Sequence, residues 1–265
     1  MILITTALMI EANPIRNALG LNAVANQPVP VFQSEEYLLV VTGTGAQKAA
    51  AVTGWALGRF PDIQAAINVG FAGAPESVSG LHQWHQVNAV RDASTGRLHI
   101  PDILDKHPFA EAAFLTAPKP VSEDTGVVGL VDMEGSGFYE AARTSLSPHR
   151  IVLLKWVSDH LDPEVDRQPT VEAFTKGIEQ ILPFLKEQAI GTEQPVKDRP
   201  ELLDVVLQRL RLTQTQTQFM GKWICGYLAR DGNPERVMSA LPDQRPVKKL
   251  DNTRLYEVLK DVLKG

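Results

Sequence analysis

The chain of 265 residues has a single cysteine, Cys225. That excludes an internal disulfide framework and suits a reducing compartment. A long hydrophobic run is also missing. The N-terminus, "MILITTALMIE", has no basic n-region, and its apolar stretch ends at Glu11. It is too short to span a bilayer and lacks the flanks of a signal peptide. It reads as a buried first strand, with no membrane partner and a cytoplasmic location as the expectation. Internal repeats and low-complexity segments are absent, which excludes solenoids and disordered tracts. The turn "GTGAQK" lacks both the third glycine of the dinucleotide fingerprint and the lysine–serine ending of a P-loop. His82 and His85 stand three apart without carboxylate or cysteine company, so they read as surface residues and no metal site is expected.

What is present is the composition of a globular protein, with 44% hydrophobic and 22% charged residues. The length suits one large domain, or a domain of ordinary size with an appendage. The net charge of −5 is unevenly spread. From Gly191 onward there are 13 Lys+Arg against 10 Asp+Glu (+3), and before that point 13 against 21 (−8). A mildly basic tail on an acidic body can dock on that body, on a second subunit or on nucleic acid. Docking on its own body is the plainest reading.

Apolar, β-branched runs alternate with helical patterns through the first two-thirds. "ILITTALM" precedes a short helix expected within Ala12–Leu19, starting near Pro14. "YLLVVTGTG" leads into an alanine-rich helix that stops before Pro61, and "AAINVGFAGA" is a further buried run. "WHQVNAVRDAS" reads as a more exposed strand. "GVVGLVDMEG" precedes the helix "FYEAART", and "RIVLLKWVSDH" is an apolar run closed by Ser158 and Asp159. Such alternation predicts a three-layer α/β/α sandwich around a mainly parallel, mixed sheet. A helix over Ala173–Leu185 closes this body, residues 1–190. The stretch "GTEQPVKDRP" has linker composition, and apolar spacing from Leu202 to Leu210 and from Phe219 to Leu228 predicts a helical extension over 191–265 that restarts at Pro234.

In α/β sheets ligands bind at the carboxyl ends of parallel strands. Glu11, Glu134 and Asp159 all fall at such ends, beside glycine-containing turns, and a carboxylate trio there suits acid/base work on a neutral polar substrate. Each has a modest alternative: Asp159 as a helix cap, Glu11 as a solvated strand-end charge, Glu134 as a helix-dipole partner. The stretch "VDMEGSGFYEAA" is the oddest, because it places glycines in the first turns of a helix, where each costs roughly 1 kcal/mol against alanine.

Taken in order, "TALMIEANPIR", "VVTGTGAQKAAA", "INVGFAGA", "VDMEGSG" and "LLKWVSD" resemble the signatures of the purine-nucleoside/uridine phosphorylase superfamily. The branch most similar is the methylthioadenosine/S-adenosylhomocysteine nucleosidases. The resemblance covers about Met1 to Leu185 and leaves the tail uncovered. It implies cleavage of a nucleoside's N-glycosidic bond without metal or organic cofactor. By the same resemblance Glu134 accepts hydrogen bonds from the ribose hydroxyls, Met133 packs on the sugar, and the small residues behind them leave room for the ligand. Asp159, held by Ser158, protonates or hydrogen-bonds the leaving base, and Glu11 activates water. Thr42, Gly43, Phe71 and Lys155 join the substrate-binding candidates. An oxocarbenium-like transition state calls for such an acid and base on opposite faces. Burial at the end of Val152–Val157 would hold Asp159 protonated while Glu11 stays ionised.

The resemblance implies hydrolysis more than phosphorolysis, because "IEANPIR" puts an acid where bound phosphate would be repelled. Arg16 and Lys155 keep a phosphate-dependent alternative open. The sequence also departs from the pattern. Lys155 replaces an arginine, Phe71 replaces a small residue, and "TAPKPVSEDTG" is a short stand-in for the base-stacking loop. Phe219, Trp223 and Tyr227 are candidates to rebuild that wall, with a tail core as the alternative. A homodimer or higher homo-oligomer is the expected assembly. The rival reading is a nucleoside-binding regulatory protein whose tail contacts nucleic acid.

Overall fold

Strand β1 (Ile2–Thr6) shows how the sequence builds two cores at once. Successive side chains of a strand point to opposite faces, and every residue of β1 is buried. Ile2 and Ile4 pack with Ala12 and Ile15 of α1 (Met9–Ala18) and with Phe174, Ile178 and Ile181 of α4 (Arg167–Ile190). Leu3 packs on the other face with Ala49 and Ala56 of α2 (Ala46–Arg59) and Phe138 and Tyr139 of α3 (Gly135–Ala142). Helices therefore cover both faces of a mixed sheet, and the chain is an α/β/α sandwich. The computed structural model describes residues 1–104, 106–122, 127, 129–162, 167–190, 201–213, 216–217, 220, 224, 227 and 233–241.

β1 lies between β4 (Tyr37–Val41) and β5 (Ala65–Gly73), parallel to both. Beyond β4 the edge continues antiparallel through β3 (Val31–Gln33) and β2 (Asn22–Ala23). On its other side β5 pairs in parallel with β10 (Ile151–Asp159). β10 then runs antiparallel to β6 (Trp84–Asp92), which is parallel to β8 (Ala110–Thr116) and carries the short β7 (Leu98–His99). β8 is parallel to β9 (Leu130–Asp132), and β9 returns to β5 through one antiparallel pairing, Gly73 with Val131. The far end of the sheet is thus closed into a ring of five strands, β5, β10, β6, β8 and β9.

Ring closure corrects one expectation. β6 was expected to be exposed, but Trp84 to Val90 are all buried, because the strand is paired along both edges and covered on both faces. His85 is buried with it rather than lying on the surface, and its ring nitrogen Nε2 sits 2.8 Å from Ser79 Oγ. The first strand is also shorter than expected. It stops at Thr6, and α1 opens at Met9 with Pro14 inside it rather than near its start. Glu11 drives the early start: as third residue of the helix it reaches back to accept the Leu8 N–H at 2.8 Å, one half of a capping box.

The glycines of "VDMEGSG" have a packing cause. A Cβ on Gly137 would run into the Ala46 carbonyl at the start of α2, and one on Gly135 into the Phe114 ring of β8. The missing side chains make room for protein rather than for a ligand, which corrects the earlier reading. Helices α2 and α3 close on each other through that gap.

α4 is longer than expected, running past Leu185 to Ile190, and residues 191–200 lie outside the described residues. In the tail, α5 (Glu201–Arg209) and α6 (Pro234–Ala240) are helical as expected. Asn233 caps α6 by accepting the Glu235 N–H at 2.8 Å. Among the described residues no helix is long and apolar enough to cross a membrane.

Candidate active site

A cavity of about 360 Å³ opens where β1, β5, β9 and β10 end, within the usual range for small-molecule sites. Glu11, Phe71, Met133, Glu134, Ser158 and Asp159 all line it, so six of the residues singled out in the sequence meet in one space. Thr42, Gly43 and Lys155 are not among the described residues that line it. Thr42 lies just behind, with its hydroxyl 2.9 Å from the Gly43 carbonyl, and Thr44 takes the position at the rim.

Two glycines of β5 let the carboxylates in. A Cβ on Gly70 would stand 2.7 Å from Glu11 Oε1, and one on Gly73 would stand 3.0 Å from Asp159 Oδ1. Real Cβ atoms do not tolerate the first contact, so glycine at position 70 is a condition of Glu11 being where it is. Glu11 is 3% exposed and accepts two backbone N–H groups, Phe71 to Oε1 and Leu8 to Oε2, each at 2.8 Å. Burial pushes its pKa above the ordinary carboxylate value, against the pull of those two donors and of the Lys155 charge.

Asp159 sits at the bulged end of β10. Its Oδ2 accepts the Ser158 hydroxyl at 2.6 Å and its Oδ1 the Leu161 N–H at 2.9 Å. It is only half-buried, so the deep burial expected for Asp159 is found instead at Glu11 and Glu134. Glu134 directly precedes α3, is 7% exposed, and accepts the Gly45 N–H at 2.8 Å. Burial, together with the nearby Asp132 carboxylate, pushes its pKa from 4.5 up to about 7.

Beside these groups lies a residue pair of which the sequence reading assigned only Lys155 to the site; its partner Asp132 is the one that lines the cavity. Lys155 is 2% exposed and donates to Asp132 Oδ2 at 2.9 Å. Asp132 also accepts the Gly135 N–H and, at 3.1 Å, the Thr116 hydroxyl. The signal available in the sequence was Asp132 standing two before Glu134.

The walls are less polar. Phe71 packs edge-on against Phe174 of α4, centroids 4.8 Å apart, and joins the Trp84–Trp156 cluster. Lys119, Pro120 and Val121 of the "TAPKPVSEDTG" segment, expected to stand in for the base-stacking loop, also line the cavity, as do Leu161, Asp162 and Thr170. Of the tail aromatics considered for that wall, Phe219 and Trp223 lie outside the described residues. Tyr227 accepts the Asn233 N–H at 3.1 Å and is not among the lining residues.

By sequence, no protein-family model matches the chain and no curated protein does. Solved structures do match. The 5′-methylthioadenosine nucleosidase of Arabidopsis thaliana superposes with a TM-score of 0.58 at 15% identity, over 69% of this chain and 95% of that one. The 5′-methylthioadenosine/S-adenosylhomocysteine nucleosidase of Colwellia psychrerythraea, solved with adenine, gives 0.58 at 16% identity, over 71% and 95%. The enzyme of S. pneumoniae, solved with the transition-state inhibitor MT-ImmA, gives 0.58 at 17% identity, over 72% and 99%. With nearly the whole of each neighbour superposed, the chain shares the fold of these three nucleosidases.

Proposed function

We propose that this chain is a nucleosidase that hydrolyses the N-glycosidic bond of a purine-type nucleoside. The observation that carries the reading is the convergence of Glu11, Glu134 and Asp159 on one cavity while the nearby cations are engaged elsewhere. Arg16 lies over the Phe32 ring, 4.7 Å from its centroid, and Lys155 is paired with Asp132. Among the described lining residues, Lys119 on the outer wall is the only cation. A phosphate dianion would meet several carboxylates there, whereas water and a neutral nucleoside would not be repelled.

In this reading the C1′–N bond breaks with its electron pair going to the base, and Asp159, steadied by Ser158, supplies the proton the base takes up. Water attacks C1′ from the other face and loses its proton to Glu11. Burial raises the pKa of Glu11 above the ordinary carboxylate value, which makes it a stronger base for that proton. Glu134 accepts hydrogen bonds from the ribose hydroxyls, which sharpen as positive charge develops on the sugar, and Met133 packs on the ring. Phe71 faces the base together with Pro120 and Val121. A purine fits the neighbours' bound adenine and MT-ImmA.

The test is incubation of the full chain with a nucleoside panel, with and without inorganic phosphate. Release of free sugar and base at a rate independent of phosphate is the expected result. Sugar phosphate as the product would replace hydrolysis by phosphorolysis, and an inert panel would overturn the enzyme reading.

A further inference from the structure

We propose that Asp132 is a positioning residue: by pairing with Lys155 it holds that ammonium beneath the cavity floor and away from Glu134, so that Glu134 meets the ligand free of a salt bridge. The geometry on both sides of the pair supports this. Lys155 Nζ donates to Asp132 Oδ2 at 2.9 Å, and both side chains are almost fully buried, 2% and 1% exposed. Removing one partner from such a pair leaves an uncompensated buried charge, which seeks the next group of opposite sign.

That next group is at hand. The charge of Lys155 is felt by both Glu134 and Glu11. Glu134 is faced by Asp132 from β9, Lys155 from β10, Glu11 from α1 and the Gly45 N–H from the turn before α2. Among the described residues Glu134 forms no ion pair, although a buried lysine lies close enough to influence it. Asp132 wins that lysine because it is fixed from other directions. The Gly135 N–H reaches its carboxylate at 2.9 Å and the Thr116 hydroxyl at 3.1 Å. Thr116 is held in turn by the Ser136 N–H at 2.8 Å, and the Ser136 hydroxyl bonds Asp92 at 2.7 Å. Asp132 is among the residues that line the cavity, but its side chain is almost fully buried and paired with Lys155, so it acts through that lysine. It also explains why the corner carries two acids two residues apart: one takes the cation, and the other is left without one.

The experiment is a carbon-13 NMR titration of the side-chain carboxyls in the full chain, wild type and variants. In Thr116→Val, which loosens the clamp without removing a charge, the midpoint of Glu134 should fall as Lys155 turns to it. In Asp132→Asn it should fall further, by about one to three pH units, because the Asp132 charge is lost as well. In Lys155→Met it should rise. In the Lys155→Met background Thr116→Val should leave the midpoint unmoved, since no ammonium remains to turn. An unmoved midpoint in Thr116→Val alone, or an equal fall with Lys155 absent, overturns the proposal. The inference rests on the nucleosidase reading for its effect on turnover, but the titration needs no substrate. A chain inert toward nucleosides would sink that reading and leave this one decided by the midpoints.

Discussion

Glu11 Oε1 lies 2.7 Å from the point where Gly70 would carry a Cβ. The carboxylate at the start of α1 and the glycine in the middle of β5 are therefore one feature, built from two distant stretches of chain. Gly70→Ala should push the Glu11 carboxylate off the Phe71 N–H it accepts. The expected cost is about 1–3 kcal/mol of stability from overpacking, with turnover falling much further than stability. Urea unfolding midpoints read beside kcat/KM check this, and an alanine variant of normal turnover would detach Glu11 from the chemistry.

Asp159→Asn should abolish most turnover, by roughly 100-fold or more as for loss of a positioned acid, with the fold unchanged by circular dichroism. Ser158→Ala removes the 2.6 Å donor to the same carboxylate and should have a smaller effect in the same direction. Wild-type rates in the asparagine variant would refute the role given to Asp159.

Glu134→Gln should separate sugar from base. Hydrogen bonds to a charged acceptor contribute about 1.5–3 kcal/mol, so ribose-containing ligands should bind roughly 10- to 100-fold more weakly while the free base is little affected. Calorimetry on a nucleoside analogue and on its base makes the comparison. Equal weakening of both would show that Glu134 does not read the ribose.

The same residue ties stability to pH. Its folded pKa of about 7 lies above the ordinary 4.5, so the folded protein binds this proton more tightly than the unfolded chain. Stability from this group is fully present below pH 4.5 and is lost as pH rises through about 7. Glu11, raised by burial, acts with the same sign. Unfolding free energies measured from pH 5 to 8 should decline in the wild type and decline less in Glu134→Gln. A slope unchanged by the substitution would mean that other groups set it.

Much of the site was legible in the sequence, because side chains at the ends of buried runs have few places to go. "AAINVGFAGA" and "RIVLLKWVSDH" are apolar enough to fix β5 and β10, and that alone brings Asp159 beside Gly73. Glu11 was identified as a site residue on the wrong element. An unbroken apolar run such as "ILITTALMI" does not reveal where strand gives way to helix, and the deciding contact, the carboxylate on the Leu8 N–H, is made by Glu11 itself. β8, "AEAAFLT", was missed because its alanines and glutamate suit a helix as well as a strand. The glycines of "VDMEGSG" were read toward a ligand because their true neighbours, Ala46 and Phe114, lie far away in sequence. Lys155 was placed in the cavity for a similar reason, since its pairing with Asp132 depends on strands that touch only in three dimensions.

The closed ring of strands bears on how the molecule comes into being. Three of its five seams, β5–β10, β6–β10 and β5–β9, join segments remote along the chain, and the last strand among the described residues, β10, is the one that wedges between β5 and β6. Pairings of such long sequence separation slow folding. A nascent chain that stops short of Ile151 would expose the flanks of β5 and β6 to other strands. Asp159, carried by that strand, reaches the cavity only when the ring shuts, so the three carboxylates cannot meet before β10 has docked.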